Sequence, residues 1–227
     1  MTRLLVHVEG QTEETFVNEV LAPHLYDCGY NSVGARLLGN SRMRSKRGGI
    51  SDWKIVRREI DRHLAEDGGA IATTFVDYYA LPEQWPGRQN APSLPIDVRA
   101  AHVQEQVAAD FSAFSPRHQR FEPFVVLHEF EALLFSDCKA FGESIGHANK
   151  VEQLQMVRDA FPCPEHINDS PQTAPSKRVC TIIPGYEKVI FGNVAALSIG
   201  LDTMRATCPH FEDWLSRLEG KLLQGVA

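Results

Sequence analysis

Apolar residues follow two rhythms along this chain. Short apolar-rich runs stand at residues 3–8 (RLLVHV), 35–39 (ARLLG), 70–76 (AIATTFV) and 121–127 (FEPFVVL). Their length and their content of branched and aromatic side chains predict buried β-strands. Between them, apolar residues recur at helical spacing. Phe16, Val17, Val20, Leu21 and Leu25 predict a helix over 12–26, with Thr12 able to cap it. Asp52 can cap a second helix over 53–66, and a third is expected near 98–112. Beyond residue 137 the pattern is helical with breaks, at about 149–160, 176–182, 187–198 and 209–223. In the last of these, Phe211, Trp214, Leu215, Leu218 and Leu222 share one face.

Strands alternating with helices predict an α/β fold: a mostly parallel four-stranded sheet flanked by helices, with a helical C-terminal extension. The expected division is an α/β domain over 1–137 and a helical extension over 138–227 packed on it. Residues 78–98 carry Pro82, Pro86, Pro92 and Pro95, so they should form a loop. A loop of that length is usually functional or mobile. Trp85 within it could stack on a base, anchor a partner, or simply pack locally.

Sites in open parallel sheets form beyond the C-terminal strand ends. Glu9 follows the first strand, Asp77 the third, and Glu129 and Glu131 the fourth, with Asp137 a little further on. Carboxylates gathered at one edge repel each other unless a cation joins them. Oxygen donors alone favour Mg²⁺ or Mn²⁺ over zinc. Taken singly, each acid could equally be a solvated loop charge or a helix-start charge. His128, beside Glu129, is either a base working near neutral pH or a hydrogen-bonded structural histidine.

Composition narrows the possibilities. At 43% hydrophobic and 23% charged residues, the chain should fold. It lacks an apolar run of membrane-spanning length, and its strand-like start argues against a signal peptide. Five scattered cysteines, none in a C-x-x-C, predict reduced thiols in the cytoplasm and no usual structural zinc spacing. A net charge of −6 argues against broad nonspecific nucleic-acid binding. The dense positive run is local: Arg42, Arg44, Lys46 and Arg47 could track a nucleic-acid backbone or be a solvated loop. Lys177 and Arg178, at a helix start, suit phosphate oxygens or form an ordinary surface pair.

Four stretches in order, VEGQTEE, DYYALPEQWPG, HEFEALLFSD and INDSPQTAPSKR, resemble a bacterial family of TOPRIM-like proteins of unassigned function. The first stretch, with its preceding strand, also resembles the first motif of TOPRIM domains generally, including those of OLD-family nucleases. The resemblance implies a Rossmann-like TOPRIM fold and Mg²⁺- or Mn²⁺-dependent cleavage of DNA or RNA, with a role in anti-phage defence. It implies that Glu9 is a metal ligand or acid/base, that Gly10 lets phosphate approach, and that Asp77 is the first aspartate of a D-x-D motif. Tyr79 stands where the second aspartate would be. Glu129 and Glu131 are candidates to replace it, with Lys177 stabilising developing charge. The alternative implied is a degenerate, non-catalytic partner of an ABC- or AAA-type ATPase.

Overall fold

The computed structural model describes residues 1–38, 50–167, 170 and 172–224. The basic run with Arg42, Arg44, Lys46 and Arg47 lies outside the described residues. Strand β1 (Arg3–Val8) sits centrally in a fully parallel sheet. Strand β2 (Ser32–Leu37) lies on one side of it and β3 (Ala70–Asp77) on the other. The expected fourth strand is two short pieces, β4 (Phe121–Glu122) and β5 (Val125–Val126), both on β3. Pro123 between them has no amide to give the ladder. The Thr74 hydroxyl fills the interruption, donating to the Phe124 carbonyl at 2.8 Å and accepting its amide at 2.9 Å.

Alternation splits each central strand between two cores. Leu4, Val6, Val8, Ile71 and Phe75 face one core, and Leu5, Ala70, Ala72 and Val76 the other. Helix α1 (residues 11–28) covers the first face, and α2 (Trp53–Glu66) and α3 (Arg99–Phe114) the second. Helix α1 widens into a π-turn over Val17–Leu21, where the Ala22 amide donates to the Val17 carbonyl. Pro23 follows, with no amide for the usual bond, and the wider turn accommodates its ring. Gly10, not Thr12, occupies the N-cap position, with no side-chain cap bond. Thr12 is instead buried in the first turn. Asp52 does cap α2, accepting the Lys54 amide at 2.7 Å.

The 78–98 segment holds three short 3₁₀ turns. Trp85 is part of the core: it is 1% exposed, lies 5.0 Å from the Trp53 ring, and donates to the Ser51 carbonyl. Its stacking on a base is therefore ruled out in this conformation.

The C-terminal part comprises α4 (Glu131–Leu134), α5 (Cys138–Ser144), α6 (Val151–Asp159), α7 (Pro175–Ile182), α8 (residues 188–199), α9 (Leu201–Thr207) and α10 (Pro209–Gln224). These helices share the first core with α1. Trp214 of α10 stacks on Phe124 at 4.4 Å and donates its indole N–H to Thr73. Among the described residues no helix is long and apolar enough to cross a membrane.

Candidate functional site at the strand ends

The chain runs from β1 outward to β2, then returns past β1 to β3. The sheet order therefore reverses between β1 and β3, which opens a crevice beyond their C-terminal ends. Glu9 and Asp77 stand on either side of it. Helix α1 begins there and brings Glu13, which is 3% exposed. The turn after β5 brings Glu131, which is fully buried. Asp77 Oδ1 accepts the Phe130 amide at 2.9 Å and so fixes that turn against the end of β3.

One cation joins these groups. Lys188, at the start of α8, places Nζ 3.4 Å from Glu13, 3.4 Å from Asp77 and 3.2 Å from Glu131. Burial would lower the lysine pKa, but the surrounding Asp77, Glu131 and Glu13 hold it well above the ordinary value. The acids outnumber it. Burial pushes Asp77 well up, Lys188 opposes this, and Glu13 and Glu9 add to it. Glu131 is raised by burial, against the pull of Lys188. Glu9 is raised to about 7, by burial first and then by Glu13. Glu9 Oε2 and Glu131 Oε1 are buried without a hydrogen-bond partner.

This donor set suits a hard divalent ion: all oxygen, excess negative charge, and buried oxygens left unpartnered. The spacing as it stands suits an ammonium. Distances of 3.2–3.4 Å from Nζ exceed the roughly 2.0–2.1 Å of Mg²⁺–oxygen bonds. Loading a metal therefore requires Lys188 to draw back and the carboxylates to close in.

Other sequence candidates are placed as follows. Glu129 lies at the rim, where it accepts the Ser176 amide at 2.9 Å at the start of α7. Its charge is felt by both Glu9 and Lys188. Lys177 is exposed on α7. Arg178, next to it, donates to the Thr173 carbonyl and covers the Phe161 ring. Asp137 caps α5 through the Ala140 amide. Gly10 is in extended backbone that any residue could adopt. An added Cβ there would sit 3.3 Å from Glu13 Oε2, so close approach is what favours glycine. Tyr79 stacks on His128 at 5.8 Å. Burial lowers the His128 pKa to about 4, so it is neutral at pH 7 and is not a base tuned near neutrality.

Sequence reasoning missed Glu13 and Lys188 as site residues. Glu13 had a signal: it lies four residues after Glu9, in the first turn of a helix that starts at the strand edge. Lys188 had none beyond a predicted helix start, because only the tertiary fold carries it across to α1 and β3.

Residues 8–219 match the family described as a domain of unknown function (DUF4276). The chain belongs to this family. That match spans both the sheet and the C-terminal helices, so the acids and Lys188 all fall within it. Among curated proteins and among solved structures, none matches the chain.

Proposed function

We propose that this protein is a divalent-metal-dependent phosphodiester hydrolase of TOPRIM-like design, acting on DNA or RNA in the cytoplasm. The observation that carries the reading is the convergence of Glu9, Glu13, Asp77 and Glu131 at the sheet's switch point, with buried oxygens unpartnered. Asp77, Glu131 and Glu13 would hold Mg²⁺ or Mn²⁺, with Glu129 at the rim. The ion would polarise a phosphoryl oxygen and acidify water. Glu9, raised to about 7, is poised to take a proton near neutral pH. Lys188, displaced toward the substrate, would hold phosphate charge. That role thus falls to Lys188, and Lys177 and Arg178 are left to guide substrate at the rim. Arg42, Arg44, Lys46 and Arg47 would follow the nucleic-acid backbone.

A second reading is favoured by Lys188 itself. An ammonium already pairs with three of the carboxylates, as expected of a degenerate site that no longer needs metal. The same helix exposes Val189, Ile190, Val194 and Leu197, as expected of a subunit that docks on a partner such as an ATPase.

Mn²⁺ calorimetry and nuclease assays on the full chain separate the two. The hydrolase reading expects the wild type to bind Mn²⁺ and cut DNA or RNA. Asp77→Asn and Glu131→Gln should weaken binding, and Lys188→Met should keep metal but lose cleavage. The degenerate reading expects Mn²⁺ binding only after Lys188→Met, and cleavage by neither protein.

A further inference from the structure

A second group of metal-ligating side chains lies away from the acidic crevice. His24 and Cys28 are one turn apart on α1, so they share a face. Glu219 of α10 meets them from the other end of the chain. Their ligand atoms all lie within 4.8 Å of one another. His24 Nε2 is 2.6 Å from Glu219 Oε1, and Cys28 Sγ is 3.5 Å from His24 Nε2. His24 and Glu219 side chains are each 27% exposed and Cys28 is exposed, so an ion can enter from solvent.

We propose that His24, Cys28 and Glu219 form a three-ligand site for a zinc-class transition metal, latching α1 to α10. Nitrogen, thiolate and carboxylate together select zinc-like ions over Mg²⁺ or Mn²⁺. Three protein ligands with solvent access leave a fourth position for water. Cys28 releases its thiol proton to solvent when the ion binds. The site is separate from the crevice: eleven residue steps along α1 from Glu13 to His24 correspond to about 16 Å.

Arg205 now occupies the neighbourhood. Its Nη1 lies 3.1 Å from His24 Nε2 and 2.6 Å from Glu219 Oε1, and its Nη2 3.3 Å from Glu219 Oε2. It also pairs with Glu212 through Nε and Nη2. The guanidinium holds His24 and Glu219 together, yet it competes for the Nε2 lone pair the metal needs. Metal binding therefore exchanges one cation for another: Arg205 keeps Glu212, and the ion takes His24, Glu219 and Cys28. Cysteine spacing alone conceals the site, because its one thiol is partnered through H-x-x-x-C and a glutamate far along the chain.

The test uses reduced, metal-free full-length protein titrated with Zn²⁺ by calorimetry and with Co²⁺ by absorption. The expected result is one Zn²⁺ bound per chain at this site, a thiolate-to-cobalt charge-transfer band, and a higher melting temperature with Zn²⁺. Cys28→Ser, a change at an exposed position, should abolish the band. Cys28→Ser and His24→Gln should each weaken Zn²⁺ at least about tenfold. Asp77→Asn, in the other cluster, should leave the band intact. Arg205→Gln should tighten Zn²⁺ binding. A Co²⁺ spectrum without a thiolate band, or Zn²⁺ titrations unchanged by Cys28→Ser and His24→Gln, would overturn the site. Zn²⁺ affinity that stays level or falls in Arg205→Gln would overturn the exchange.

Discussion

Glu9 shows how one side chain reports on the crevice. Its folded pKa is about 7, against an ordinary value of 4.5, because burial and then Glu13 disfavour its charge. The folded state thus holds this proton more tightly than the unfolded chain does. The resulting stabilisation is fully present below pH 4.5 and is lost as pH rises through 7. Glu9→Gln removes the titration. Without metal, the variant and the wild type should melt alike near pH 4, and the variant should be more stable at pH 8. The difference should be ~2 kcal/mol after discounting the full shift for solvent screening. Equal melting of the two proteins at both pH values would remove the case for a strained carboxylate. Glu9 and Asp77 can be read from sequence because each directly follows an apolar strand. Lys188 cannot, since nothing local distinguishes it from a surface lysine at a helix start.

At the scale of elements, most of the fold is legible. The period of apolar positions locates β1, β3, α2 and α10 to within two residues, because each has a strong burial pattern. The fourth strand is harder. Apolar content over 121–127 suggests one strand, while Pro123 breaks it and Thr74 repairs the gap from a neighbouring strand. The short helices α4, α5 and α9 have too few turns to show a period. The position of α8 is set by close contact rather than by pattern. A Cβ on Gly192 would lie 2.9 Å from the Tyr186 hydroxyl and 3.4 Å from the Phe130 ring. Gly192→Ala should therefore displace the Tyr186 hydroxyl and crowd the Phe130 ring, straining the turn of α8 that carries Lys188. The expected cost is about 1–3 kcal/mol, seen in chemical denaturation. A matching drop in the Lys188 pKa, read by NMR, should accompany it. A variant as stable as wild type with an unchanged lysine signal would show that this contact does not position the cation.

At the scale of the whole molecule, one apolar core among the described residues joins the sheet to the C-terminal helices. The first core runs without interruption from Phe16 on α1, through Phe75 and Phe124 on the sheet side, to Phe211 and Trp214 on α10. Trp214 is central to it: fully buried, stacked 4.4 Å from Phe124, 5.5 Å from Phe75, and hydrogen-bonded to Thr73 at 2.9 Å. Residues beyond 137 also supply Lys188, the cation paired with Asp77, Glu13 and Glu131. Separating the two parts should thus expose apolar surface and uncompensated charge together, and the sheet should not survive alone. Trp214→Ala leaves a large cavity and removes the N–H that the Thr73 hydroxyl accepts, so it should cost about 3–5 kcal/mol. Far-UV circular dichroism and the fluorescence of Trp53 and Trp85, which lie in the opposite core, should report a single shared transition in the wild type. In Trp214→Ala both signals should shift to lower denaturant together. A chain ending at residue 137 should show neither native signal. If the Trp53 and Trp85 signal kept its midpoint while the helical signal alone moved, the two parts would be independent units, and the site would be assembled by docking rather than by folding.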